Sequence, residues 1–111
     1  MVKVVLDADG CALYFSRSPI PYLRDYTGPL ASAPSQPLHH LGIYSYRRDF
    51  LLRYASLPRS PLEDAEKLEQ LRALAAGYKI KVAVTPYASI GIDTPADLEA
   101  WLDKHRTHKE V

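Results

Sequence analysis

Five of the nine prolines fall between residues 19 and 37: Pro19, Pro21, Pro29, Pro34 and Pro37. Proline lacks a backbone donor and steers the residue before it away from helix, so this stretch holds neither a helix nor a central strand. Together with its glycine, serines and tyrosines, the segment 18–37 reads as a loop of about twenty residues. A loop of that length in a compact domain is expected to be functional or mobile, as a lid or a disordered segment. Regular structure is therefore confined to a short segment before the loop and a longer one after it.

Before the loop, the β-branched run 2–6 and the apolar run 12–15 flank Asp7-Ala8-Asp9-Gly10. The turn chemistry, with Gly10 free to take positive φ, predicts a β-hairpin. After the loop, 41–46 reads as a buried strand with Ile43 on one face and Tyr44 and Tyr46 on the other. A short helix over 47–55 follows, with Phe50, Leu51 and Tyr54 at helical spacing. Ser60-Pro61-Leu62-Glu63 is a helix start with serine cap, proline at the first position and glutamate at the third. That helix is predicted to run from Pro61 to Ala76 and stop at Gly77. Residues 79–85 alternate as a strand with Ile80, Val82 and Val84 inward. Thr94-Pro95-Ala96-Asp97 then opens a last helix carrying Leu98, Trp101 and Leu102. The polar end from Arg106 is expected to fray. The order β-β-loop-β-α-α-β-α predicts a single α/β domain with a mixed sheet.

Composition narrows the function classes. Fourteen basic against thirteen acidic side chains leave a net charge of +1, which gives no broad footprint for nucleic acid or an anionic membrane. No apolar run approaches the ~20 residues of a membrane span. The N-terminus lacks a signal-peptide pattern, so a cytoplasmic location is expected. The lone cysteine, Cys11, excludes an internal disulfide and multi-cysteine metal sites. No glycine-rich phosphate loop or Ser-His-Asp arrangement is present. His105 and His108 stand three apart near an exposed end, a poor setting for a metal.

A few side chains carry chemistry in a pattern open to two readings. On the predicted 61–76 helix, Leu62, Ala65, Leu68, Ala75 and Ala76 form an apolar arc with Glu69 and Arg72 inside it. Glu69 either pairs with Arg72 at i, i+3 on the rim of the core or points into a polar pocket. His40 and Tyr44, four apart, share a strand face with Gly42 between them. They are either structural hydrogen-bonding groups or the two flanks of a notch for a small polar molecule. Arg17, where the hairpin meets the loop, is a surface residue or a clamp for a carboxylate or phosphate. Asp93 precedes the Thr94 cap and has no capping task. It is an exposed loop acid or a ligand for a hard cation such as Mg²⁺, which takes one or two carboxylates plus substrate phosphates.

The segments Val5-Leu6-Asp7, Ala12-Leu13-Tyr14-Phe15-Ser16-Arg17, His40-Leu41-Gly42-Ile43-Tyr44, Ser60-Pro61-Leu62-Glu63, Leu68-Glu69-Gln70-Leu71-Arg72 and Ile92-Asp93-Thr94-Pro95-Ala96-Asp97-Leu98-Glu99 run in this order through nearly the whole chain. Together they resemble the C-terminal half of the CMP-KDO synthetases, the 3-deoxy-manno-octulosonate cytidylyltransferases. The resemblance implies the C-terminal part of a nucleotide-diphosphosugar transferase fold and the reaction of CTP with KDO to give CMP-KDO and pyrophosphate, which feeds lipopolysaccharide synthesis. It implies that Arg17, His40, Tyr44, Glu69 and Gln70 contact KDO and that Asp93 is one Mg²⁺ carboxylate. It also implies a homodimer.

The family's nucleotide-binding loop and a further metal-binding aspartate have no counterpart in these 111 residues. Residues 1–111 are accordingly expected to be one partial domain, the sugar-binding and dimerisation half, inactive alone. The alternatives are a non-catalytic interaction module and part of a cytidylyltransferase for another acidic sugar such as sialic acid.

Overall fold

The computed structural model describes residues 1–87 and 92–105. Strands β1 (Lys3–Leu6) and β2 (Ala12–Ser16) form the predicted antiparallel hairpin, with Val4 opposite Phe15. The turn is built as its chemistry requires. Asp7 Oδ1 accepts from the amides of Asp9 and Cys11, both at 2.9 Å, and Gly10 takes φ +81°, a conformation that disfavours a Cβ. A register shift between Val5 and Leu6 bends the pair, as bulges do.

The third strand is not where the hydrophobic run places it. Strand β3 is Leu38–His39, antiparallel to β1, so the sheet order is β2-β1-β3. Residues 41–46 form no strand. The Ile43 amide donates to the Leu41 carbonyl at 2.8 Å, a tight turn that throws Ile43 into solvent at 85% exposure. Gly42 faces open space, since a Cβ there would meet nothing within 4 Å.

The loop is largely exposed and holds one 3₁₀ turn, Leu30–Ser32. It carries its own hydrogen bonds, from Tyr26 Oη to the Pro29 carbonyl at 2.6 Å and from Gln36 Nε2 to the Ala31 carbonyl at 2.7 Å.

Helix α1 (Arg48–Tyr54) falls within the predicted span. It turns Phe50 and Tyr54 inward, while Leu51, expected beside them, is exposed. The predicted 61–76 helix is two helices, α2 (Pro61–Glu66) and α3 (Gln70–Ala75). Ser60 Oγ caps α2 by accepting from the Leu62 amide at 3.1 Å. Lys67 breaks the helix in the left-handed region, at φ +57°. The break overturns the continuous apolar arc: Leu68 and Leu71 reach the core, whereas Leu62, Ala65, Ala75 and Ala76 are exposed.

The predicted strand 79–85 is reduced to one antiparallel bridge, Lys81 to Cys11. The Ala12 amide donates to the Ile80 carbonyl at 2.8 Å and the Val82 amide to the Gly10 carbonyl at 3.0 Å. Helix α4 (Pro95–His105) starts with the expected capping box. The Asp97 amide donates to Thr94 Oγ1 at 3.1 Å, and Asp97 Oδ2 accepts from the Thr94 amide at 3.2 Å. The end from Arg106, with His108, lies outside the described residues.

The core joins the hairpin to the α2–α3 region: Val4, Ala12 and Phe15 pack with Leu68 and Leu71. It is small for the chain. The Cα radius of gyration is 17.3 Å, against about 13 Å for a compact domain of this size. Tyr46, Leu51, Leu52 and Tyr87 stay largely exposed.

Candidate functional site

A groove of about 1100 Å³ opens beside the sheet, walled by His40, Tyr44, Phe50, Tyr54, Gln70 and Tyr78 among others. Its floor is a run of aromatic contacts. Phe15 meets His40 edge-on at 5.2 Å, Tyr44 stacks on Tyr46 at 5.8 Å, and Tyr46 stacks on Phe50 at 5.9 Å. Tyr44 and Tyr46 share a side as the sequence suggests, although a turn and not a strand puts them there.

His40 and Tyr44 are paired, with Tyr44 Oη 2.6 Å from His40 Nε2. Burial lowers the His40 pKa from 6.5. Burial, with the neighbouring Tyr46 and Tyr54, pushes the Tyr44 hydroxyl up to about 12. Both groups are therefore neutral near pH 7, and the pair offers uncharged hydrogen bonding to the groove.

Beside it lies a smaller cleft of about 300 Å³, bordered by Tyr44, Tyr46, Lys67, Leu68, Glu69 and Gln70. Gln70 lines both spaces. Its Nε2 is buried without a hydrogen-bond partner, an arrangement that costs free energy unless a ligand or water satisfies it. Glu69 is exposed at the start of α3, and its backbone carbonyl accepts from the Arg72 amide at 3.0 Å. Of the two readings of Glu69, the ion pair with Arg72 does not form; the Arg72 side chain instead donates to Glu63, Nε to Oε2 at 2.8 Å and Nη2 to Oε1 at 2.6 Å. The helix break reorients Arg72 and leaves Glu69 at the cleft.

Arg17 stands at the back of the same break. Its Nε donates to the Glu66 carbonyl at 2.6 Å and its Nη2 to the Lys67 carbonyl at 3.1 Å. These are carbonyls at the end of α2, so Arg17 caps that helix. Glu66 Oε1 in turn accepts from Ser16 Oγ and from the Arg17 amide, both at 2.9 Å. Asp93 is exposed before α4 and borders neither space; its amide donates to Asp97 Oδ2 at 3.2 Å. Among the described residues no three His, Cys, Asp or Glu side chains cluster as a metal site.

Of the residues expected to form a site, Tyr44, Glu69 and Gln70 border one cleft, and His40 joins them through Tyr44. Arg17 reaches the cleft's edge only through the Lys67 carbonyl, and Asp93 stands apart. Sequence reasoning missed Lys67 as a cleft residue. The signal that could have found it is weak, because a lysine in the left-handed region looks like any helix residue in sequence. Tyr46 was detectable from its spacing with Tyr44.

A family model described as cytidylyltransferase matches residues 1–80. The 3-deoxy-manno-octulosonate cytidylyltransferase of Geobacter sulfurreducens is 53% identical over 109 residues, covering 94% of this chain and 44% of that protein. The protein of the same name from Solibacter usitatus is 56% identical over 99 residues, covering 89% of this chain and 37% of its own length. A solved CMP:2-keto-3-deoxy-manno-octonic acid synthetase complexed with CTP superposes with a TM-score of 0.77 at 46% identity, over 96% of this chain and 42% of that one. The chain thus spans less than half the length of the relatives it matches.

Proposed function

The chain belongs to the cytidylyltransferase family, and from that premise we propose that it supplies the acidic-sugar side of an enzyme joining CTP to 3-deoxy-manno-octulosonate. The products are CMP-KDO and pyrophosphate. One observation carries the reading: Tyr44, Glu69 and Gln70, with His40 bonded to Tyr44, gather at one cleft beside an apolar groove.

In the reaction, the anomeric hydroxyl of the sugar attacks the α-phosphorus of CTP in line, and pyrophosphate leaves. This chain's contribution is orientation. Glu69 accepts hydrogen bonds from sugar hydroxyls, and the unpartnered Gln70 Nε2 donates to a sugar oxygen. The neutral His40–Tyr44 pair supplies a further contact. Arg17 spends Nε and one Nη2 hydrogen on the α2 carbonyls, and its remaining N–H groups are proposed to bind the sugar carboxylate.

Mg²⁺ would neutralise the phosphate oxygens. Asp93 is proposed as one of its carboxylates. A single exposed carboxylate does not hold Mg²⁺ by itself, so no step is assigned to the metal. Homodimerisation and a cytoplasmic location belong to the same proposal. Exposed Tyr46, Leu51 and Leu52 support the first. For the second, no described helix is long and apolar enough to cross a membrane.

Calorimetric titration of KDO into the purified chain tests the reading. Binding heat that disappears in Arg17→Ala and Tyr44→Ala is expected, with no CTP-dependent pyrophosphate release from the chain alone. The exposed apolar surface also favours a second reading, a non-catalytic interaction module. Absence of binding at millimolar KDO would leave that reading standing.

A further inference from the structure

Arg72 lines neither cleft, yet its guanidinium ties Glu63 of α2 to Tyr54 of α1. Residues 63 and 72 are nine apart, and at about 100° per residue a continuous helix would put them on opposite sides. Only the left-handed turn at Lys67 lets them meet. The result is a two-pronged ion pair, at 2.8 and 2.6 Å, with Glu63 buried and the Arg72 side chain only 15% exposed. Two parallel N–H···O bonds fix angle as well as distance. The pair therefore sets how α3 leaves α2.

The contact continues toward the cleft. The Arg72 guanidinium lies over the Tyr54 ring, 5.0 Å from its centroid. Tyr54 Oη donates to the backbone carbonyl of Glu69 at 3.1 Å. Glu69 and Gln70 are the two residues whose side chains border the cleft at the start of α3. From the other side, Arg17 grips the carbonyls of Glu66 and Lys67. The short segment carrying Glu69 and Gln70 is thus held at both ends, which the buried, unpartnered Gln70 Nε2 requires if it is to stay aimed.

We infer that Arg72 and Tyr54 are positioning residues for the sugar cleft, acting through the Glu63–Arg72–Tyr54–Glu69 relay and not by contact with the ligand. The inference rests on the proposed sugar-binding reading for its functional consequence. Its geometric content, that this relay fixes Glu69 and Gln70, stands apart from it. Tyr54→Phe keeps the ring under Arg72 and removes only the hydroxyl to Glu69. Arg72→Lys keeps the charge and removes the fork.

The test is solution NMR of the full chain with ¹⁵N labelling, together with KDO titration, on wild type, Tyr54→Phe and Arg72→Lys. The expected result is that the Gln70 side-chain amide and the Glu69 backbone amide shift in both variants, while the Val4 and Phe15 amides stay in place. KDO binding should weaken about tenfold in Tyr54→Phe, equal to ~1.4 kcal/mol. Unmoved Glu69 and Gln70 signals in folded Tyr54→Phe overturn the relay. Unchanged affinity in a variant of a wild type that binds also overturns it. If wild type takes up no KDO, the sugar reading fails, and the NMR shifts alone decide whether the relay holds. Should Arg72→Lys fail to fold, Tyr54→Phe still decides.

Discussion

Tyr44 Oη and His40 Nε2 lie 2.6 Å apart, and the imidazole also meets Phe15 of the core edge-on. Through His40, the groove is coupled to the best-packed part of the protein. Because burial lowers the His40 pKa, the unfolded chain takes up a proton near pH 6.5 that the folded chain still refuses. The stability this confers is present above pH 6.5 and is lost as pH falls through the window just below it. Tyr44 runs the other way. Its hydroxyl is raised from 10 to about 12, so its contribution is present below pH 10 and lost as pH rises toward 12. An NMR titration should place the His40 midpoint below 6.5; a midpoint at or above that value would contradict the buried pair.

Glu63 gives a second, separable pH response. Hydrogen bonding from Arg72 is the main cause that holds its carboxyl below the ordinary 4.5. The unfolded chain therefore binds the proton first, and the stability is present above 4.5 and lost as pH falls below it. Glu63→Gln should lower the melting temperature at pH 7 and flatten its fall between pH 5 and 3. An equally steep acid limb in the variant would show that other carboxylates govern it.

The small core predicts large single-residue effects. Leu71 is fully buried and Phe15 is 1% exposed, and both join the hairpin to α3. Leu71→Ala should cost about 2–5 kcal/mol and Phe15→Ala about 3–5 kcal/mol in urea unfolding. Leu51→Ala, on the exposed face of α1, should cost less than about 0.5 kcal/mol. Comparable losses at positions 51 and 71 would mean that the α1 face is buried in solution, for instance between copies of the chain.

Arg17 is expected to act on stability and binding together. Arg17→Ala removes both contacts to the end of α2 and should cost about 1–3 kcal/mol. Arg17→Lys keeps the charge but cannot reach two carbonyls as a fork does. It should recover part of the KDO affinity and little of the stability. Full recovery of stability by lysine would show that charge alone holds the α2 end.

Much of the local structure was legible because it depends on neighbours in the chain. The Asp7–Gly10 turn, the serine cap of α2 and the Thr94–Asp97 capping box all formed where their residues indicate. Such motifs close their own hydrogen bonds within a few residues, so nothing distant can overrule them. That Tyr44, Glu69 and Gln70 border one cleft was not legible in their spacing, because only the folded chain brings them together.

The expectations that failed share one physical cause. Residues 41–46 and 79–85 have strand-like sequences, but a strand needs a continuous partner: pairing with β1 stops at His40, where 41–46 turns away, and 79–85 meets the hairpin only at the Lys81–Cys11 bridge. The apolar periodicity of 61–76 favours one helix, yet the Glu63–Arg72 ion pair is available only when the helix breaks at Lys67. By itself, the sequence determined the turns, the caps, the single hairpin and the proline-bound loop. The tertiary structure decided which hydrophobic runs found partners and which charges met, because those energies come from residues far apart in the chain.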